Sequence, residues 1–222
     1  MAAALTRLAA FDFPVHLSEV TRGALAAAAR DEPPAVAADL RKVLGPTPSA
    51  AAVQRLAARS PFYNAQMRTT CVATMIDGGH AENALPQRAG ATVNCRILPE
   101  ESADEVLKTL TKVVADPQVK VTVLTPATPS PASPLRPDIL RPIAAVTARM
   151  WPGVPIVPQM ETGATDGAIL RNGGIPTYGV ATVFLDVNDI RAHGRDERII
   201  AKEFDAGADY ALALLKAFVT KH

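Results

Sequence analysis

Apolar residues recur at helical spacing through the first quarter of the chain. Alanine and leucine dominate this part, and prolines and a Gly-Pro-Thr-Pro-Ser stretch divide it into short segments. Ser18 stands directly before one such segment, where an N-cap residue belongs. The pattern predicts helices over Ala2–Ala10, Glu19–Arg30, Asp39–Leu44 and Ala50–Arg59.

The period changes to two after Gln66, because the residues from Met67 to Met75 alternate as a strand requires. Asp77-Gly78-Gly79 is a turn sequence, and a helix capped by Ser102 is predicted to run to Ala115. Strand, strand, helix and strand in this order are typical of a split βαββαβ sandwich of the ferredoxin-like kind. The second and third strands are predicted over Ala91–Leu98 and Val119–Leu124.

This ferredoxin-like unit lacks its first strand, and a helical insertion at about residues 16–60 interrupts it. Pro126–Pro137 is rich in proline and serine and is predicted to link two domains. Helices and short buried strands follow it, so the second domain is predicted to be part of an α/β domain. The chain is thus assigned to the α/β class, with domains at 1–126 and 127–222. The elements predicted in the second domain are helices Asp138–Met150 and Glu203–Val219 and strands Val154–Pro158 and Thr177–Val180.

Charge is nearly balanced, with 23 basic and 22 acidic residues. Nothing in this balance points to nucleic acid or to an acidic membrane surface as a partner. No apolar run approaches the length of a membrane span, and no basic leader precedes an apolar segment at Met1–Ala10. A cytoplasmic location is therefore expected.

Cys71 and Cys95 lie in the two neighbouring predicted strands. In a chain without an export signal, buried free thiols are the expected state, and a disulfide is the alternative that their proximity allows. The chain has no Cys-x-x-Cys sequence, so a cysteine-based metal site is not expected.

The richest stretch for chemistry runs from Thr162 to Arg198. It contains TGATD, in which Thr165 or Asp166 can cap a helix over Asp166–Arg171 and free N–H groups suit a carboxylate. His193 follows in a polar turn. Considered alone, the glycine-containing loop could be only a turn, and the histidine only a hydrogen-bonded surface residue.

Three ordered motifs, TGATD, GIPTYGV and HGRDER, resemble the C-terminal motifs of the M20 metallopeptidase family. GGHAENALP and ATVNCR resemble that family's lid or dimerisation domain. The resemblance implies hydrolysis of a peptide or N-acyl amino acid bond at a two-zinc site. It implies that His193 is a zinc ligand and that Asn83 and Arg96 reach an active site, often that of a partner subunit. Gly163, Ala164, Thr165 and Asp166 would hold the substrate's free carboxylate.

The chain also departs from the family pattern. Ala168 stands where many relatives have an arginine, which puts that mode of carboxylate anchoring in doubt. The His-x-Asp pair, the bridging Asp and the Glu-Glu pair of the family are absent, and one imidazole cannot hold catalytic zinc. His16, His80 and His222 have no metal-ligand spacing, and Glu100-Glu101 is interpreted as a charge pair at a helix start.

The resulting expectation is a C-terminal portion of an M20 enzyme, inactive or nearly so by itself. It would form a homodimer through the lid domain or associate with a missing N-terminal part. A non-catalytic dimerisation or binding module is the main alternative, in which Asn83 only stabilises its turn and Arg96 is a solvated charge. A Ser-His-Asp hydrolase is a third, but the chain has no G-x-S-x-G sequence.

Overall fold

The structure is a computed structural model that describes residues 1–186 and 189–220. The described residues form nine helices and one two-stranded antiparallel sheet. They fall into two compact units, Met1–Ala132 with Val157–Asn172 and Ser133–Ile156 with Gly173–His222. The elements are α1 (Ala2–Ala9), α2 (Glu19–Asp31), α3 (Pro34–Val43), α4 (Ala50–Arg59), α5 (Pro61–Met67), β1 (Thr70–Gly78), β2 (Ala89–Arg96), α6 (Ala103–Val114), α7 (Pro137–Met150), α8 (Gly167–Asn172) and α9 (Ala201–Val219).

Helices α1, α2 and α4 form within one residue of their predicted bounds, whereas α3 begins at Pro34, five residues before the predicted start at Asp39, because a proline suits the first turn of a helix. Ser18 caps α2 by accepting a hydrogen bond from the Thr21 N–H, as predicted. Ser102 precedes α6 but makes no side-chain cap. Helix α5 was not predicted, and it begins at Pro61, whose fixed φ suits the first position of a helix.

Helices α2 to α5 enclose a common apolar core in the first unit. Leu25, Leu40, Val43, Leu56 and Met67 are each at most 1% exposed. Each helix contributes an apolar face that no single short helix could bury alone, so the four stabilise one another. The segment predicted as a helical insertion is therefore a folded helix bundle.

Strands β1 and β2 form a hairpin whose register pairs Thr70 with Arg96 and Gly78 with Ala89. The register also places Cys71 directly opposite Cys95, with 4.1 Å between their Cα atoms, and the two form a disulfide. The expectation of free thiols is wrong. Sequence spacing put the two cysteines in neighbouring strands, but only the pairing register brings their side chains into contact.

Three predicted strands are absent from the described structure. Val119–Leu124, Val154–Pro158 and Thr177–Val180 have irregular backbone, and the sheet contains β1 and β2 alone. A strand exists only where a neighbour takes up its backbone hydrogen bonds, and the described residues offer these segments no such neighbour. A mixed α/β fold is confirmed, whereas the ferredoxin-like arrangement stays a prediction.

Helices α7 and α9 pack together in the second unit. Ile143, Val146, Tyr210 and Leu214 are buried between them, and the Thr147 hydroxyl lies 2.8 Å from the Tyr210 hydroxyl. Gly207 allows a close approach to α9, because a Cβ there would lie 2.6 Å from the Thr182 carbonyl oxygen. Across the described residues, no helix combines the length and the apolar character that crossing a bilayer requires.

Candidate functional site

The hairpin separates the two residues that were predicted to act together in it. Asn83 lies in the loop that joins β1 to β2, and Arg96 ends β2 at the opposite end of the paired region. At about 3.4 Å per residue, the seven steps between Ala89 and Arg96 make the paired region about 24 Å long. Both side chains are exposed, and neither has a hydrogen-bond or ion-pair partner within the described part of the chain. One copy of the chain therefore holds Asn83 and Arg96 at opposite ends of the hairpin.

The loop Gly163–Asp166 precedes the six-residue helix α8. Thr165 caps this helix as predicted, because its hydroxyl accepts a hydrogen bond from the Gly167 N–H at 2.9 Å. The Gly163 N–H donates to the Glu161 carboxylate at 3.2 Å. The Gly163 N–H, one of the groups expected to hold a substrate carboxylate, thus already has an acceptor in Glu161.

Two side-chain hydrogen bonds hold the segments that flank this loop on either side. Gln66 is fully buried, and its side-chain amide donates to the Met160 carbonyl at 2.6 Å, so α5 holds the segment that leads into the loop. Arg171, the nearest arginine to Ala168, donates its Nε–H to the Ser130 hydroxyl at 2.8 Å. The Arg171 guanidinium is thus engaged with Ser130.

His193 lies in the second unit, exposed, in a tight turn with φ +65°. Few residues other than glycine adopt this left-handed conformation, although histidine is among those enriched there. The Gly194 N–H closes the turn by donating to the Arg191 carbonyl at 2.9 Å. The turn thus holds His193 at the surface in a left-handed backbone conformation.

Ion pairs anchor both ends of the His193 turn. Asp189 accepts hydrogen bonds from Arg198 at 2.8 Å and from Arg191, and Arg191 also pairs with Asp196. The hydrogen bonds from Arg198, and then from Arg191, lower the pKa of the Asp189 carboxyl below its ordinary value. The alternating charges of RAHGRDER carry this network, but their pairing was not anticipated from the sequence.

The described residues do not make a complete metal centre. Among them, no group of three or more histidine, cysteine or acidic side chains is placed to hold a metal ion. The carboxylates of Asp189 and Asp196, near His193 in sequence, are engaged with arginines. His222 lies outside the described residues. A zinc site built on His193 would need about two further ligands from elsewhere.

Comparison with known proteins agrees with the motif resemblance. Residues 1–122 match the family described as peptidase dimerisation domain, of the M20 type. The chain is 25% identical over 166 residues to probable carboxypeptidase S-like 2 of Dictyostelium discoideum, a match covering 74% of this chain and 32% of that protein. It is 30% identical over 166 residues to the N-fatty-acyl-amino acid synthase/hydrolase PM20D1 of Xenopus tropicalis, covering 74% of this chain and 32% of the relative.

The human PM20D1 protein is also 30% identical, over 168 residues that cover 74% of this chain and 34% of that protein. The chain thus spans about one third of the length of the curated relatives it matches. No solved structure matches it significantly. Because the matched domain covers more than half of the chain, and relatives from amoeba to human carry M20-type names, the chain belongs to the M20 peptidase family.

Proposed function

We propose that this chain contributes the dimerisation domain and part of the catalytic domain of a zinc-dependent M20 hydrolase. The observation that carries the proposal is the match of residues 1–122 to a peptidase dimerisation domain, followed by TGATD and HGRDER in the order of the family. The bond cleaved would be a peptide bond or the amide of an N-acyl amino acid. The names of the relatives, probable carboxypeptidase S-like 2 and N-fatty-acyl-amino acid synthase/hydrolase PM20D1, support this class of substrate.

In this proposal residues 1–126 form the dimerisation domain and residues 127–222 belong to the catalytic domain. The extent of the matched segment, 1–122, supports the first boundary. Gly163, Ala164, Thr165 and Asp166 would face the carboxylate of the substrate, and His193 would provide one zinc ligand. The exposure of His193 supports a ligand role, since its imidazole has no hydrogen-bond or ion-pair partner among the described residues.

Asn83 and Arg96 would act across a dimer. Since one copy holds them at opposite ends of a hairpin, an antiparallel pair of hairpins would place Asn83 of one copy near the Arg96 end of the other. Asn83 offers a donor and an acceptor, and Arg96 offers a planar fork that suits a carboxylate or an oxyanion. Their exposure and lack of partners support this role.

The chain by itself should be inert, because its described residues lack the remaining metal ligands and a base. The first test is an assay of the purified chain with zinc on dipeptides and N-acyl amino acids. No turnover above background is expected. Turnover at enzymatic rates that a chelator abolishes would contradict this part of the proposal.

A hybrid tests the active-site assignments. This chain would replace the segment that it matches in the Dictyostelium carboxypeptidase S-like relative, which would supply the other residues of the centre. In a folded hybrid, Asn83→Ala and Arg96→Ala should each lower kcat by about 10²-fold or more, the usual loss when a group that stabilises the transition state is removed.

Two matched controls belong to the hybrid experiment. Asn94 lies exposed on β2 and Arg88 lies exposed in the joining loop, so Asn94→Ala and Arg88→Ala should leave kcat nearly unchanged. Equal effects of all four substitutions would favour the alternative function, a dimerisation or binding module without catalytic residues. The exposed hairpin, with Val72 and Ile76 more than half accessible, is the observation that favours this alternative.

A further inference from the structure

A groove of about 340 Å³ lies in the first unit. It is bounded by the segment after α1 and by the start of α4. Its walls are apolar, and two polar side chains, Gln54 and Arg68, lie among them. The volume falls in the range of small-molecule sites. The apolar walls come from Phe13, Pro14, Val15, Pro48 and Val53.

Arg68 is an unusual residue for a groove wall, because its side chain is only 5% exposed. It follows α5 directly, so the core packing of Met67 carries it into the interior. Its Nη1 lies 2.9 Å from Asp12 Oδ2 in an ion pair, and its buried Nε–H has no acceptor among the described residues. Burial of a guanidinium costs desolvation free energy, and an N–H without an acceptor gains no hydrogen bond that would offset this cost.

Asp12, the counter-ion of Arg68, is much more accessible. Its side chain is 45% exposed, and one oxygen, Oδ2, accepts a hydrogen bond from Gln54 Nε2 at 2.9 Å and forms the ion pair with Arg68 Nη1, also at 2.9 Å. Asp12 can turn into water at small cost, whereas Arg68 cannot leave and needs an anion beside it. Two donors at the groove therefore converge on one displaceable carboxylate oxygen.

We propose that this groove binds a small monocarboxylate with an apolar chain. The ligand's carboxylate takes the place of Asp12 on Arg68 and Gln54, and its second oxygen offers the acceptor that a planar guanidinium can use in a two-point contact. The apolar chain lies against Phe13, Val15 and Val53 and is removed from water there. None of the residues assigned to amide hydrolysis lines the groove, so this inference stands apart from the proposed function.

Octanoate is the probe, titrated calorimetrically into the purified chain with 1-octanol as the uncharged comparator. We expect saturable binding of one octanoate per chain and binding of octanol at least about tenfold weaker, since octanol lacks the charge that Arg68 requires. Absence of saturable octanoate binding at millimolar concentration, or equal affinity for the two probes, overturns the proposal.

Asp12→Asn is the decisive variant, because it removes the internal competitor and leaves Arg68 without its anion. Octanoate should bind about tenfold more tightly to it. Asp39→Asn is the matched control, since Asp39 pairs with Arg55 outside the groove, at 2.6 Å, and its loss should leave octanoate affinity unchanged. Unchanged or weaker binding to Asp12→Asn shows that Arg68 and Asp12 are a structural ion pair only, and overturns the proposal.

A third variant fills the groove without touching Arg68. Ala50 is exposed at the start of α4 and lines the groove, so Ala50→Phe should weaken octanoate binding by about tenfold or more while the helix still forms. Binding that survives this change lies elsewhere on the chain and contradicts the assignment. These exposed positions avoid the folding defect that substitution of the buried Arg68 itself risks.

Discussion

At the scale of single residues, the turn around His193 depends on Asp189. This carboxylate accepts from two arginines, and its pKa in the folded protein is lowered from its ordinary value of 3.8. A lowered pKa means that the contribution to stability is present above the ordinary value and is lost as the pH falls through the folded value. Both arginines are exposed and Asp189 is half-buried at the surface, so salt should weaken the contribution.

Asp189→Asn tests this dependence. At pH 7 the variant should be less stable than the parent chain, and the difference should shrink as the pH falls below the ordinary pKa of 3.8 and through the lower pKa of the folded state. Urea unfolding followed by fluorescence of Trp151, which lies in the same unit, measures it. Asp209→Asn is the control, since Asp209 is exposed on α9 and has no ion pair in the described structure. If the effect of Asp189→Asn on stability does not change with pH, the ion pairs of Asp189 do not have the role assigned to them.

At the scale of elements, the two ends of α1 and α6 provide a matched pair. Ala115 ends α6 in the left-handed conformation, with φ 46° and ψ 42°, whereas Ala10 ends α1 in the right-handed one, with φ −89°. A Cβ is disfavoured in the first case and harmless in the second.

Ala115→Gly should therefore stabilise the chain by about 0.5–1 kcal/mol, because the relief of the left-handed strain exceeds the added entropy of the unfolded chain. Ala10→Gly, the same change at a right-handed helix end, should be neutral or destabilising. Thermal unfolding followed by the helical circular dichroism signal measures both. If the two substitutions shift Tm alike, the backbone conformation at Ala115 does not explain the effect.

The hairpin is the element that the disulfide constrains. Cys71 and Cys95 join β1 to β2 across 24 residues of sequence. Since the described sheet has only two strands, and a lone hairpin is marginal in water, the covalent link should matter for its order.

Replacing both cysteines with serine should destabilise the chain by about 2–4 kcal/mol, the usual range for loss of a native disulfide. Urea unfolding of the oxidised chain, the reduced chain and the double variant makes the comparison, and the last two should agree. Thiol titration of the purified, unfolded chain without reductant provides the direct check. Two titratable thiols would show that the bond does not form.

At the scale of the whole molecule, the exposed apolar side chains of the hairpin bear on assembly. Val72, Met75 and Ile76 on β1 are 61–70% exposed, in a segment that matches a peptidase dimerisation domain. Large apolar residues exposed together are typical of an interface, and both outer strand edges are open in the described sheet.

Ile76→Lys should therefore weaken a homodimer by at least about tenfold in Kd, since it places a charge in each copy of the interface. Sedimentation equilibrium measures the change. Leu212→Lys is the control, because Leu212 is 52% exposed on α9, outside the matched segment. A parent chain that is monomeric at micromolar concentration would contradict dimerisation through this domain.

Local patterns determined most of the helices and the family of this protein. The start of α2 at Ser18 and of α8 after Thr165 follow from capping by nearby side chains, which the sequence displays directly. Asn83, Arg96, the TGATD loop and His193 were identified from ordered motifs, since motifs record residue type and spacing. Residues close to them in sequence are enough to place Asn83 and TGATD in loops, Arg96 at a strand end and His193 in a turn.

Tertiary structure decided what depends on distant partners. The Cys71–Cys95 bond needed the register of β1 against β2, and the buried Arg68 of the groove needed the packing of α5, which was not predicted. Val119–Leu124 has the composition of a strand but remains irregular, because a strand also requires a neighbour for its backbone hydrogen bonds. The periodicity of a segment indicates which of its faces is apolar. Whether that face is buried, and whether its backbone pairs in a sheet, depends on which other segments pack beside it.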